Sequence, residues 1–265
     1  MVGHAASIVA GALSGVRDNR GVTRLRFVGS GDAFGDGGRF QTCFLLEDGD
    51  ESVLIDCGAT SLTALKAAAV EPNEIGTVVV SHLHGDHFGG IPFLVIDGQF
   101  RRRERPLVVA GPPGTRSRVE TAMELMFPGS AGARRRFEVE FVELAGDGLT
   151  RAGPANVRTV PVEVPLTPAC ALRVELGERV VAYSGDTAWM DSLIGLAAGA
   201  DVFIAEAYFF DRSVPFHLDY ATVLRARDRL DCKRLVLTHP GPDMLARLAE
   251  AEIECAYDGM VIDLG

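Results

Sequence analysis

Apolar and polar positions along this chain change over in short bursts, mostly with the two-residue period of strands. Val22-Thr23-Arg24-Leu25-Arg26-Phe27-Val28 alternates cleanly and predicts a half-buried strand. A glycine-rich loop, Gly29 to Gly38, follows it. Thr42–Glu47 and Ser52–Asp56 flank the acidic turn Asp48-Gly49-Asp50, which reads as a hairpin. Further strands are predicted at 77–81, 107–110, 137–142, 157–164, 171–176, 180–183, 202–205, 234–238 and 260–264. Helical patterns cover 61–70, 115–127, 191–198, 220–230 and 244–251, and Glu71-Pro72 and Pro128-Gly129 stop the first two. Strands come in runs of neighbours separated by single helices, with no internal repeat and no linker. The reading is a loose lead-in over residues 1–21 and one domain of mixed α and β layers over 22–265.

Composition narrows the class. With 265 residues, 47% hydrophobic and 23% charged, the chain can bury a large core, which excludes a disordered tail, a collagen, a coiled coil or a small cysteine scaffold. The five cysteines (Cys43, Cys57, Cys170, Cys232 and Cys255) show no CxxC spacing, which points to reduced thiols and a cytoplasmic setting. Ala5–Val16 lacks a basic lead and is too short to span a bilayer, so neither a signal peptide nor membrane association is expected. A net charge of −10 suits nonspecific nucleic-acid binding poorly. Arg101–Arg103 and Arg134–Arg136, the two basic clusters, read as solvated loops.

The chemistry is concentrated in the histidines. There are six, and His82, His84 and His87 fall within Ser81-His82-Leu83-His84-Gly85-Asp86-His87, where a β-branched run ends. At a strand end, residues i and i+2 share a side, so His82 and His84 can converge on one point. Asp86 and His87 lie beyond the turn that Gly85 permits. Imidazoles with a carboxylate are donors that zinc and its first-row neighbours take. Four such groups at the mouth of a core strand would otherwise cost several kcal/mol in desolvation.

This motif resembles those of the metallo-β-lactamase-fold hydrolases. Gly29-Ser30-Gly31-Asp32-Ala33-Phe34, Leu54-Ile55-Asp56-Cys57-Gly58, the HLHGDH block, Tyr183-Ser184-Gly185-Asp186-Thr187 and Leu237-Thr238-His239 stand in that family's order, from about Val22 to Leu264. The resemblance implies an α/β fold, a four-layer αββα sandwich, with one or two zinc ions at its edge and manganese or iron as alternatives. It implies that His82 and His84 hold a first metal, Asp86, His87 and His239 a second, and that Asp186 bridges them. Asp56 resembles the carboxylate that orients a ligand histidine. The ribonuclease Z-like branch is the nearest likeness: there a glutamate and a histidine assist proton transfer to the leaving oxygen, and Glu206 and His217 match them. Asp86 would orient or deprotonate the attacking water. The related family is often dimeric, so a homodimer is an expectation.

Two departures from the pattern bear on function. The family supplies one more histidine to the first metal, yet no histidine occurs from Phe88 to Phe216, and Leu166 or Thr167 stands in its place. Cys170, a soft donor nearby, reads as a buried apolar cysteine. Bacterial enzymes of the branch also carry an extruded arm before the bridging aspartate, and here the segment from Leu166 to Asp186 is only long enough for a hairpin. Full-length tRNA is therefore an unsuitable partner, and a small molecule or short nucleotide the expected substrate. A metal-dependent phosphodiester hydrolase leads, against a thioester or lactone hydrolase on the same fold and against a non-catalytic binding protein with an incomplete metal site.

Overall fold

The alternating bursts become the strands of two sheets. The computed structural model describes residues 22–144, 146 and 148–265; the lead-in expected over residues 1–21 lies outside them. Six strands come first: β1 (Arg24–Gly29), β2 (Cys43–Asp48), β3 (Glu51–Ile55), β4 (Thr77–Val79), β5 (Leu107–Gly111) and β6 (Val139–Glu143). Seven follow: β7 (Leu149–Ala152), β8 (Ala155–Val164), β9 (Thr167–Leu176), β10 (Arg179–Tyr183), β11 (Val202–Glu206), β12 (Leu235–Thr238) and β13 (Glu254–Cys255). The chain then returns as β14 (Val261–Asp263) to pair antiparallel with β1. One sheet runs β14-β1-β2-β3-β4-β5-β6 and the other β13-β12-β11-β10-β9-β8-β7. Each is antiparallel where hairpins build it and parallel where helices cross over, along β3 to β6 and along β10 to β13.

Strand alternation sorts the apolar residues into three layers. On β2, Phe44 and Leu46 face the second sheet, while Cys43 and Leu45 face outward beneath helices. The layer between the sheets includes Phe27, Ile55, Val174, Tyr183 and Ile204, all buried. Outside the first sheet lie α1 (Ser61–Ala67), the single turn α2 (Gly85–Phe88), α3 (Ile91–Phe100) and α4 (Thr115–Met126). Outside the second lie α5 (Ser192–Ala197), α6 (Tyr220–Ala226) and α7 (Pro242–Ala246), through Leu193, Val223 and Met244. The result is the αββα sandwich expected from the sequence. No helix among the described residues is long and apolar enough to cross a membrane.

The pattern reading and the structure part at α3. Ile91–Phe100 carries apolar residues around its whole circumference and packs on both the sheet and α4, so it shows no helical stripe. β9 begins earlier than the alternation suggested, at Thr167, and pairs with β8 without interruption from Val164↔Thr167 to Asn156↔Glu175. The helices predicted over 220–230 and 244–251 stop at Ala226 and Ala246, each followed by a 3₁₀ turn.

Phe44 links the sheets. Its ring meets Phe27 edge-on at 5.1 Å and Tyr183 at 5.2 Å. Phe44→Ala is expected to lower unfolding stability by about 3–5 kcal/mol, read from the urea midpoint, because both sheets are too stiff to close the cavity.

Candidate metal centre

The ends of the parallel strands, where α/β folds commonly place their sites, deliver all the candidate side chains but His217 to one edge of the sandwich. Asp56 follows β3, and His82 and His84 follow β4, with Asp86 and His87 on α2. From the other sheet come Asp186 after β10, Glu206 at the end of β11 and His239 after β12. Asp56 and His239 have φ of 58° and 59°, a left-handed conformation that costs a non-glycine residue energy and recurs at functional sites.

Asp86, His87, Asp186 and His239 present ligand atoms within 4.8 Å of one another, and all four are buried. His87 Nε2 is 3.1 Å from Asp86 Oδ2 and 3.4 Å from Asp186 Oδ1. His239 Nε2 is 3.2 Å from Asp86 Oδ2 and 3.7 Å from Asp186 Oδ2. His87 Nδ1 donates to Asp56 Oδ2 at 2.7 Å, which turns Nε2 toward the cluster. Asp56 is itself held by the Ser81 amide at 2.7 Å and the Ser81 hydroxyl at 2.8 Å. His87 Nε2 and Asp186 Oδ1 are buried without a hydrogen-bond partner. The electrostatics say the same thing: burial opposes a charge on His239, yet Asp186, Asp86 and Glu206 outweigh it and raise the imidazole to about 9. Buried carboxylates with two nitrogens form an N₂O₂ cage that wants a cation, and a divalent ion fits where those protons sit.

His82 and His84 stand on the other side of Asp186. Ser81 Oγ lies 3.1 Å from His82 Nδ1, and Pro165 O lies 3.4 Å from His84 Nε2. With those ring nitrogens donating outward, the lone pairs on His82 Nε2 and His84 Nδ1 face each other across 3.1 Å. Two ligands of one tetrahedral ion with bonds of 2.0–2.1 Å would stand about 3.3 Å apart, so this pair also fits a cation. Asp186 Oδ2 is 3.9 Å from His82 Nε2. This half offers one bound donor fewer than the cage around His87.

Leu166 corrects the sequence reading. It was expected at the missing ligand position, but it sits at the tip of the β8–β9 turn with its side chain fully in solvent. Thr167 opens β9, and its hydroxyl bonds Pro168 O. The group that faces His84 is the backbone carbonyl of Pro165, which no side-chain pattern announces. Cys170 is buried with its thiol on Ser81 O, as an apolar cysteine would be.

Beside the cage, Glu206 is wholly buried. Its Oε2 accepts from the amides of Thr187 at 3.0 Å and Leu218 at 3.2 Å, and its Oε1 accepts a short bond from His217 Nδ1. Burial opposes protonation of His217, but the Glu206 carboxylate prevails and raises it. The His217 ring lies nearly parallel to His239, with centroids 6.4 Å apart. Sequence reasoning missed Tyr208, whose ring packs against His217 at 5.3 Å under the backbone of Gly241. Its only signal was its place two residues after Glu206. It also left Ser81 without a role, although the hydroxyl joins Asp56 to His82.

The sequence matches the beta-lactamase superfamily domain over residues 51–240. The chain belongs to that superfamily. Within it, the chain is 28% identical to the ribonuclease Z of Anoxybacillus flavithermus, covering 81% of this chain and 86% of the relative. It is 31% identical to the ribonuclease Z of Mycobacterium tuberculosis over 68% of this chain and 67% of that one. Among solved structures it superposes on the metallo-beta-lactamase fold protein YhfI from Bacillus subtilis with a TM-score of 0.76 at 22% identity, covering 91% of this chain and 99% of YhfI. The short form of human tRNase Z gives 0.73 at 24% identity, over 91% and 99%. These place the superfamily member in the ribonuclease Z-like branch.

Two outcomes follow from the geometry. Asp56→Asn should weaken metal binding about 10–100-fold, measured by competition with a chromogenic chelator, because His87 loses its fixed orientation. Leu166→His should leave the metal content per chain unchanged by elemental analysis, since a side chain at the turn tip faces water.

Proposed function

We propose that this metal-dependent hydrolase of the phosphodiesterase class acts on a small phosphodiester, with the ion held chiefly by Asp86, His87, Asp186 and His239 and a weaker second ion shared by His82, His84 and Asp186. The observation that carries the reading is the pairing of that buried N₂O₂ cage with the Glu206–His217 pair beside it. Zinc is the ion the donor set suits best, with manganese or iron as alternatives. Such an ion, when bound, supplies Lewis-acid chemistry: it makes water a nucleophile near neutral pH and draws charge from a phosphoryl oxygen.

The protein groups then divide the proton work. Asp86 engages His87 and His239 through Oδ2, and among the described residues nothing bonds its Oδ1, which can orient a water and take its proton. His217 holds its Nδ1 proton on Glu206 while its side chain stays 34% exposed, and its Nε2 can give a proton to the leaving oxygen. Glu206 acts through His217, fixing its tautomer and favouring its charged form. The stretch from Leu166 to Asp186 is spent on β9, β10 and their turns, leaving no arm with which to grip a long RNA. Asp36 puts a partly exposed carboxylate on the glycine-rich loop, above the buried Asp32, which disfavours a polyanion there.

The test is hydrolysis of bis(4-nitrophenyl) phosphate beside an acyl thioester, with and without added zinc after chelation. Turnover of the phosphodiester that returns with metal supports the reading, and turnover of the thioester alone overturns it. His239→Ala should remove metal and activity together. His217→Ala should retain metal and lower kcat about 10²–10⁴-fold, with little change in KM.

A further inference from the structure

The ligand-type side chains of the metal centre fall into two groups, and the proposed reaction uses the second only to move a proton. Asp86, His87, Asp186 and His239 make the cage. Asp186, Glu206 and His217 likewise present one ligand atom each, all within 4.8 Å of one another. His239 stands between the groups: its Nε2 meets Asp86 and Asp186, while its Nδ1 lies 3.8 Å from Glu206 Oε1.

The second group is built before any ion arrives. The amides of Thr187 and Leu218 fix Glu206 through Oε2, at 3.0 and 3.2 Å, and leave Oε1 facing His217 Nδ1. The backbone of His217 is held by the bridge Val214↔His217, in a turn where Phe216 has a φ of 67°, a left-handed value that costs a non-glycine residue energy. Asp186 is 4% exposed, and among the described residues its buried Oδ1 has no hydrogen-bond partner. A carboxylate offers about four acceptor positions, so Asp186 can serve the cage and a neighbouring ion together. Access also differs. The cage residues are all buried, but the His217 side chain is 34% exposed and opens the second group to solvent.

We propose that Asp186, Glu206 and His217 form an additional site for zinc or another first-row divalent cation, weaker than the cage, and that filling it switches the hydrolase off. One imidazole and two carboxylates are donors that such ions take. Repulsion from the ion already bound to the shared Asp186 keeps the affinity below that of the cage. The switch rests on the phosphodiesterase reading, in which His217 protonates the leaving oxygen, and names a regulator of that step. An ion between Glu206 Oε1 and His217 Nδ1 takes the place of the proton they share, which leaves to solvent. To admit it, the short contact between these atoms widens to about 3.3 Å, the separation of two ligands on one tetrahedral ion, which a tilt of the partly exposed ring supplies. The ring is then neutral, and its remaining Nε2 proton is far harder to give up than that of an imidazolium. Proton delivery stops while the cage keeps its ion.

The test counts zinc on the whole chain by equilibrium dialysis and elemental analysis over a chelator-buffered range of free zinc, for the wild type, His217→Ala and Glu206→Gln. Turnover of bis(4-nitrophenyl) phosphate is read on the same samples. At low free zinc, where the cage fills first, all three proteins are expected to hold equal zinc, which also shows that the variants keep the fold. At high free zinc the wild type should gain an ion that neither variant gains. Wild-type turnover should fall over the same range to the level of His217→Ala, a drop of about 10²–10⁴-fold, while the turnover of that variant stays flat. If the buried Glu206→Gln variant falls short at low zinc as well, His217→Ala decides. Equal counts at every concentration overturn the site, and a gained ion that leaves wild-type turnover unchanged overturns the switch. A His217-dependent ion on a protein that cleaves no phosphodiester upholds the site and counts against the phosphodiesterase reading, so the two failures are distinguishable.

Discussion

Four carboxylates, Asp56, Asp86, Asp186 and Glu206, are buried where the edges of the two sheets meet, and the arrangement of that edge follows from the need to neutralise them. An unpaired buried charge is among the most expensive features a fold can carry. Asp56 is answered by His87 and the two donors of Ser81. Glu206 is answered by two backbone amides and His217. Asp86 and Asp186 share His87 and His239 between them and still leave polar atoms unmatched. The strain at Asp56 and His239 belongs to the same accounting: both residues hold a left-handed backbone while Asp56 bonds His87 and His239 meets Asp86.

Much of this was legible in the amino-acid sequence because the donors are local. Three of the histidines and Asp86 fall within six consecutive residues, so the chain itself sets their separation, and a strand end followed by glycine says which way they turn. Asp56, Asp186, Glu206 and His239 each close a β-branched or apolar run, which is how a strand end looks in one dimension. What was not legible depended on register. Whether Leu166 or the Pro165 carbonyl faces His84 is decided by how β8 pairs with β9, and a one-residue change of register reverses every side chain. α3 was hidden for a different reason: with apolar residues running round most of it, it lacks the stripe by which a helix declares itself.

Comparison with solved relatives separates what the fold keeps from what this chain changes. At 22–24% identity the sandwich superposes over nine-tenths of its length, so the layer of Phe27, Phe44 and Tyr183 represents one of many sequences that fill the same space. In this chain the edge is bordered by the two-residue turn at Pro165-Leu166 and by the 184–190 segment after β10.

The bond from the Cys170 amide to Ser81 O, at 3.0 Å, and the bridge His82↔Ala169 stitch β9 of one sheet to the end of β4 in the other. The sandwich therefore behaves as a pair of calipers whose jaws are the two sheets and whose hinge pin is this stitch. His82 and His87 ride on one jaw, and Asp186 and His239 on the other. A slide of one ångström between the layers would be trivial for apolar side chains, but it is half the length of a metal–nitrogen bond. Ion occupancy is thus a gauge of how well the two sheets are aligned, and a core substitution far from the edge can register there before it is felt anywhere else.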